Sequence, residues 1–177
     1  GGALAPDGTP LPVQPIDDGL LAEVALPGSS ALTLGLVAAA QPAAAPDADE
    51  LLAENEYLSL KVNTDGTLRV VHKATGRIYN NLGAFENSAD CGDEYNYSWL
   101  AGDTPITTHG IPAHAECVER GPLRTAFCIH RVWALPDALS GDRKTRLTQL
   151  RELPITTYVA LHAGEPFVRF NTVLRNT

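Results

Sequence analysis

The chain has 177 residues, of which 44% are hydrophobic and 19% are charged, and its formal net charge is -8. This composition excludes a disordered chain, and no apolar run approaches the ~20 residues that a membrane-crossing helix needs. Because the acidic balance comes without a basic stripe, we expect neither nucleic acid nor a membrane as a partner.

Cysteine and methionine usage bears on the compartment of the chain and on its completeness. The three cysteines cannot all pair within one chain, and none belongs to a Cys-x-x-Cys motif. Free thiols in a reducing compartment are therefore expected, and the N-terminus has no charged and apolar regions typical of a secretory signal. We expect a cytoplasmic location. The chain contains no methionine, which indicates a piece excised from a longer protein.

The first fifty residues differ in kind from the rest. Ala, Pro and Gly are frequent, and residues 11–13, 20–26 and 31–37 are short strand candidates separated by turn residues. The sequence QPAAAPDAD at residues 41–49 has polyproline character and predicts a linker over residues 41–51. Because three short strands seldom form an independent core, residues 1–40 should pack on the main body or be the remainder of a split domain.

From residue 52 onward the pattern predicts strands and no long helix. Residues 56–62 and 67–72 flank the turn sequence NTDG at residues 63–66, whose Asn, Asp and Gly tolerate the positive φ of a tight hairpin. The sequence KATG at residues 73–76 then predicts a second turn and a third strand. We therefore expect an all-β fold that begins with an antiparallel meander.

The later strands are longer. Residues 123–135 place Phe127, Ile129 and Trp133 on one side and apolar residues also on the other, which favours a strand covered on both faces or lying in a thick sandwich. Residues 155–161 and 168–174 each alternate, and the Gly-Glu-Pro turn between them predicts an antiparallel pair. Residues 136–151 should form a loop that leads into an extension of the strand.

A loop at residues 90–99 is the candidate functional segment. Its three carboxylates, three aromatic rings and an amide follow neither a helical nor a strand period. Acid and amide groups bond to sugar hydroxyls, and aromatic faces cover the apolar side of a pyranose. The alternative is a structural loop satisfied by its own backbone. The residues expected near a substrate or a domain interface are Asp90, Asp93, Glu94, Tyr95, Asn96 and Tyr97.

Seven short motifs occur in the order ENEYL at 54–58, NTDGTL at 63–68, KATGR at 73–77, GDEYNYS at 92–98, ERGPLR at 119–124, LPITT at 153–157 and LHAGEP at 161–166. Together they resemble the C-terminal region of the glycoside hydrolase family 38 α-mannosidases and mannosylglycerate hydrolases. The similarity is strongest over residues 52–98 and weak before residue 40. One departure is Trp99 and Leu100, which stand where members of the family usually have prolines after the Tyr-Asn-Tyr-Ser sequence.

The resemblance implies an antiparallel β-sandwich of the mutarotase-like or supersandwich kind, incomplete and preceded by remnants of a small β-domain. Residues 1–40 would be the end of that small domain, and residues 52–177 would be the N-terminal part of the large sandwich. An incomplete sandwich exposes an edge strand, so a homo-oligomer or aggregation is expected.

The resemblance also implies the function. In these enzymes the aspartate nucleophile and the zinc ligands lie in an α/β barrel upstream, and no residue of this chain matches them. The chain would be the sandwich portion of a retaining α-mannosidase, inactive alone, with an α-mannoside as substrate and the missing barrel and helical domains as partners. No catalytic residue, metal ligand or cofactor is expected in the chain itself, and zinc is expected in the parent's missing catalytic domain.

Several alternatives remain open. A stand-alone carbohydrate-binding sandwich is one, and a mutarotase-like enzyme using His72, His130 or His162 with a carboxylate is another. His109, His114 and Glu116 could suggest a metal site, but only a loop could bring the two histidines together. The basic cluster at residues 143–151 predicts a solvated loop or a contact to acidic parts of the absent barrel.

Overall fold

A computed structural model of the chain describes residues 2–17, 19–26, 28–37 and 51–175. The predicted all-β fold is confirmed, because these residues form fifteen strands, and they contain no helix able to cross a membrane. The strands are β1 (Gly2–Leu4), β2 (Pro10–Leu11), β3 (Val13–Ile16), β4 (Gly19–Ala22), β5 (Gly35–Val37), β6 (Leu52–Glu54), β7 (Leu58–Val62), β8 (Leu68–His72), β9 (Arg77–Leu82), β10 (Glu86–Asn87), β11 (Ile106–Thr107), β12 (His114–Arg120), β13 (Arg124–Pro136), β14 (Leu150–His162) and β15 (Arg169–Leu174).

Two four-stranded antiparallel sheets make the main body. One has the order β6-β7-β8-β9 and the other β12-β13-β14-β15. The predicted hairpin joins β7 to β8, with Val62 opposite Leu68. Its turn needs Gly66, whose φ is +73° and whose missing Cβ would lie 2.7 Å from the Ile129 side chain of the other sheet. The turn therefore both reverses the chain and lets the two sheets approach closely.

The core lies between the two sheets. Successive side chains of each strand point to opposite faces of its sheet. In both sheets the apolar face turns inward. Full burial of a Val, Leu, Ile or Phe side chain contributes about 1.5–3 kcal/mol. The buried core residues are Ala53, Leu58, Leu60, Val62, Leu68 and Val70 from the first sheet and Phe127, Ile129, Val159 and Leu161 from the second.

The long strands β13 and β14 pair along their whole length, with Phe127 opposite Val159. The predicted inward side of β13 is confirmed, since Phe127, Ile129 and Trp133 are all buried. The expectation of cover on both faces is only partly met. On the outer face Cys128 is buried, whereas His130 and Val132 are exposed.

The N-terminal strands form two small sheets, a three-stranded one with the order β2-β1-β5 and the β3–β4 hairpin. The predicted strands at 20–26 and 31–37 are shorter in the structure, and β1 was not predicted because three residues carry too little periodicity. The predicted linker, residues 41–51, lies outside the described residues except for Leu51. The division into domains at 1–40 and 52–177 stays a prediction.

Gln14 of β3 joins the N-terminal hairpin to the main body. Its side chain is buried, donates to the Arg124 carbonyl at 2.8 Å and accepts from the Leu123 and Arg124 amides at 3.0 and 2.7 Å. A Cβ at Gly121 would come within 2.4 Å of this side chain. The hairpin is therefore attached where β13 begins, through an amide that satisfies three backbone groups at once.

One side of the sandwich is open. The edge strands β9 and β15 are exposed along their whole length. Tyr79 and Leu82 lie opposite Val70 and Leu68 on β8, so they continue the inner face without being buried. On β15 the inner-facing Phe170, Thr172 and Leu174 continue the face that carries Val159, Thr157 and Ile155, and all three are likewise exposed. These strands are the exposed edges that the resemblance implies, and among the described residues each pairs with another strand on one side only.

Leu174→Lys should weaken self-association of the chain, because a lysine on an edge strand opposes pairing with another copy. We expect an apparent dimer dissociation constant at least about tenfold higher, measured by sedimentation over a concentration series. Val132→Lys is the matched control, since Val132 is exposed on a central strand. A monomeric wild type, or equal effects of both lysines, would contradict the prediction.

Candidate functional site

The candidate loop extends from a short two-stranded sheet. Strands β10 and β11 pair Glu86 with Thr107 and Asn87 with Ile106. Beyond them, Asp90 and Trp99 form an isolated antiparallel bridge. The segment between is thus an irregular hairpin tip whose ends are fixed by backbone pairing.

Asp90 and Asp93 organise the tip through their carboxylates. Asp90 Oδ1 accepts from the amides of Gly92 at 2.8 Å and Ser98 at 2.9 Å. Asp93 Oδ1 accepts from the amides of Tyr95 at 2.9 Å and Asn96 at 2.8 Å. Both aspartates thereby act as side-chain caps of the turns that follow them.

The electrostatics of the two aspartates agree with this role. The Ser98 and Gly92 amides lower the pKa of Asp90 from its ordinary value, and the Tyr95 and Asn96 amides lower that of Asp93. A carboxyl group that acts as a general acid needs a raised pKa instead. Asp90 and Asp93 are therefore acceptors engaged by the backbone of the loop, and neither has the raised pKa of a general acid.

Gly92 permits the tight return of the loop. A Cβ there would lie 1.8 Å from the Asn96 carbonyl oxygen, which no side chain could tolerate. The Cys91 amide also donates to the Ser98 carbonyl at 2.8 Å. The glycine of the GDEYNYS motif is thus required by backbone proximity, since its φ is not in the left-handed region.

The aromatic side chains of the loop point outward. Tyr95 is 89% exposed, Tyr97 61% and Trp99 53%, although large aromatic rings are usually buried. Tyr97 donates from its hydroxyl to Ser88 Oγ at 3.3 Å. Glu94 is exposed as well, and among the described residues its carboxylate has no partner. The groups available to a ligand or another domain are therefore these rings and Glu94, and Asp90, Asp93 and Asn96 hold them in place.

Arg146 fixes the base of the loop. Its guanidinium donates to both carboxylate oxygens of Asp103, at 2.6 and 2.9 Å, and to the side-chain and main-chain oxygens of Asn87. Asp103 also accepts from the Ala89 amide at 2.8 Å. A bidentate arginine–carboxylate pair is among the strongest polar contacts in proteins, and here it joins the β13–β14 connection to both ends of the loop.

The sequence predicts that the basic cluster at residues 143–151 forms a solvated loop. The structure shows that only part of the cluster is solvated. Arg146 is largely buried against Asp103, and Arg143 donates to the Gly92 carbonyl at 2.9 Å. Arg151 pairs with Asp137 in its own connection. The sequence does not predict the Arg146–Asp103 contact, because 43 residues separate the two. No local pattern links an arginine to an aspartate at that distance along the chain.

The residues of the histidine array, His109, His114 and Glu116, have different neighbours from those that their spacing suggested. His114 and Glu116 lie on β12, whereas His109 lies in the turn before it. Glu116 instead comes together with Cys128 and His130 of β13 on the outer face. Both ring nitrogens of His130 have neighbours within hydrogen-bonding distance, Cys128 Sγ at 3.1 Å and Thr156 Oγ1 at 3.0 Å.

Known proteins were compared with this chain in sequence and in fold. No protein-family model matches the chain. A protein of Halalkalibacterium halodurans named "Putative mannosylglycerate hydrolase" is 24% identical over 138 residues, which cover 70% of this chain and 15% of that protein.

Two solved structures from Enterococcus faecalis match 99% of the chain. One is described as an alpha-mannosidase, with a TM-score of 0.77, 21% identity and coverage of 24% of that protein. The other is described as a glycosyl hydrolase family 38 protein, with a TM-score of 0.80, 22% identity and 25% coverage. The resemblance read from the motifs is confirmed, and the chain spans about a quarter of the length of the solved structures that share its fold.

The Asp103–Arg146 pair should make stability depend on pH. The bonds from Arg146, followed by that from the Ala89 amide, lower the pKa of Asp103 to about 2 from 3.8. A carboxyl whose pKa is lower in the folded chain stabilises the fold above its unfolded pKa, and this stabilisation is lost as the pH falls from about 4 toward 2. Urea unfolding should therefore show wild type more stable than Asp103→Asn near pH 6, with the difference shrinking at pH 3 and below. A difference independent of pH would contradict this.

Proposed function

We propose that the chain is the β-sandwich portion of a retaining α-mannosidase-type glycoside hydrolase, where it supports the catalytic barrel and lines the sugar site. The observation that carries this proposal is the shared fold over 99% of the chain, together with an internally hydrogen-bonded loop that presents three exposed aromatic rings. The whole enzyme's activity and its α-mannoside substrate are inferred from what the related proteins are named.

The loop would contribute binding surface, and the chemistry would come from elsewhere. Tyr95, Tyr97 and Trp99 can cover the apolar face of a sugar, and Glu94 can accept from its hydroxyls. Preorganisation by Asp90, Asp93 and the Arg146 pair lowers the ordering cost of binding. The nucleophile and the zinc expected for the family belong, in this proposal, to the barrel of the parent, which with the helical domain would be the partner of this chain in the cytoplasm.

A stand-alone carbohydrate-binding module is the second candidate. It is favoured by the rings being exposed in the chain as it stands, so that no other domain is needed to display them. This candidate predicts that the isolated chain binds mannosides, whereas the sandwich-portion proposal predicts a site completed by the barrel.

Activity measurements on two proteins test the leading proposal. The 177-residue chain should not hydrolyse an aryl α-mannoside, and the complete protein encoded around it should do so with retention of configuration. In the complete protein Tyr95→Ala should lower kcat/KM about tenfold while the melting temperature stays unchanged, because a stacked ring is lost from the surface. Tyr57→Ala is the matched control, since Tyr57 is also exposed but lies in another turn.

Three outcomes would count against the leading proposal. Hydrolysis by the isolated chain that disappears in Asp93→Asn or Glu94→Gln would place catalysis in the loop and overturn the proposal. Equal kcat/KM values for wild type and Tyr95→Ala would remove the loop from the sugar site. Saturable binding of mannosides to the isolated chain, with no hydrolysis by the complete protein, would favour the binding module.

A further inference from the structure

The outer face of the β12–β15 sheet carries a cluster of three potential metal ligands. Glu116 on β12 lies directly opposite Cys128 on β13, and His130 follows two residues later on the same face. One ligand atom from each residue, a carboxylate oxygen, Sγ and an imidazole nitrogen, lies within 4.8 Å of the others. The three side chains thus converge on one point above the sheet.

The separations are close to those of a zinc site. Zinc bonds of about 2.0–2.3 Å to tetrahedrally arranged ligands place the ligand atoms about 3.3–3.8 Å apart. Cys128 Sγ and His130 Nε2 are already 3.1 Å apart, and the exposed Glu116 side chain can rotate toward them. Only small side-chain movements are needed to accommodate the ion.

The surroundings of the cluster orient the ligands. His130 Nδ1 lies 3.0 Å from Thr156 Oγ1, which would fix the ring with its proton on Nδ1 and leave Nε2 for a metal. A metal-bound histidine usually donates its other ring N–H in this way. Tyr158 on β14 lies directly opposite Cys128 and lines the same cleft.

The cluster faces a cleft of about 520 Å³, whose other walls include Asp17 of the N-terminal hairpin and Tyr158. Three protein ligands leave one position of a tetrahedral ion free, and the cleft gives water access to it. Thiolate and imidazole together favour zinc over the hard cations magnesium and calcium.

We propose that Glu116, Cys128 and His130 form a zinc-binding site on the outer face of the sheet, with a water molecule from the cleft as the fourth ligand. Binding replaces the S–H bond of Cys128 with a zinc–sulfur bond and releases the proton to solvent. The spacing along the chain hides the site, because the glutamate lies on the neighbouring strand and the Cys-x-His pair alone is too short a motif to suggest a metal.

Cobalt and zinc titrations of the metal-free, untagged 177-residue chain test the proposal. One equivalent of Co²⁺ should give the sulfur-to-cobalt charge-transfer absorption of a thiolate ligand and the visible bands of a tetrahedral ion, and Zn²⁺ should displace it. Cys128→Ser should abolish the charge-transfer band, and His130→Ala and Glu116→Gln should weaken zinc binding. Thr156→Val, which removes only the partner of His130, should weaken it about tenfold or more.

Matched controls come from the same chain. Cys91→Ser and His109→Ala change a cysteine and a histidine outside the cluster, and both should bind cobalt like wild type. Because His130 and Glu116 are exposed, their variants should fold normally, and circular dichroism of the metal-free proteins checks this. Retention of the charge-transfer band in Cys128→Ser, equal losses in the control variants, or no stoichiometric binding by wild type would overturn the proposal.

Discussion

Burial of one face of β13 is the constraint on which the rest of the structure depends. Phe127 and Ile129 pack into the core between the two sheets and are almost completely shielded from water. Because successive side chains of a strand point to opposite faces, their burial also fixes Cys128 and His130 on the outer face. A slip of one residue would place the histidine in the core and the phenylalanine in water. The energy of the core therefore determines which groups are available for chemistry on the surface.

The two ends of β13 carry the two attachments that shape the molecule. At its beginning, the backbone of Leu123 and Arg124 binds Gln14 of the N-terminal hairpin. Just beyond its end, the connection to β14 supplies Arg146, which holds the candidate loop. Thirteen strand residues separate these attachments, which corresponds to roughly 40 Å of extended chain. The loop is thus positioned by the sandwich and by Arg146, at the opposite end of β13 from the Gln14 attachment.

Local signals in the sequence predict much of this fold. The NTDG turn, the meander and the antiparallel pair of β14 and β15 depend on neighbouring residues, and the structure confirms all three. The contacts that position the sites, in contrast, join residues that are far apart in the sequence. Gln14 meets Leu123 across 109 positions, and Arg146 meets Asp103 across 43. Such partners are set by the packing of the sheets, which a single sequence does not reveal.

The candidate loop also has features that the sequence predicts and features that it does not. Its composition indicated a polar and aromatic surface, and the exposed rings agree with that expectation. The division of labour within it depends on backbone geometry, because Asp90 and Asp93 are engaged by amides of the tip. We propose that the rings so displayed face a sugar or the catalytic barrel of a longer protein. A crystal structure of the complete protein with a bound mannoside inhibitor tests it most directly. Tyr95, Tyr97 or Trp99 should lie within about 4 Å of the sugar or of the barrel, whereas a loop surrounded by solvent in that complex would contradict the proposed role.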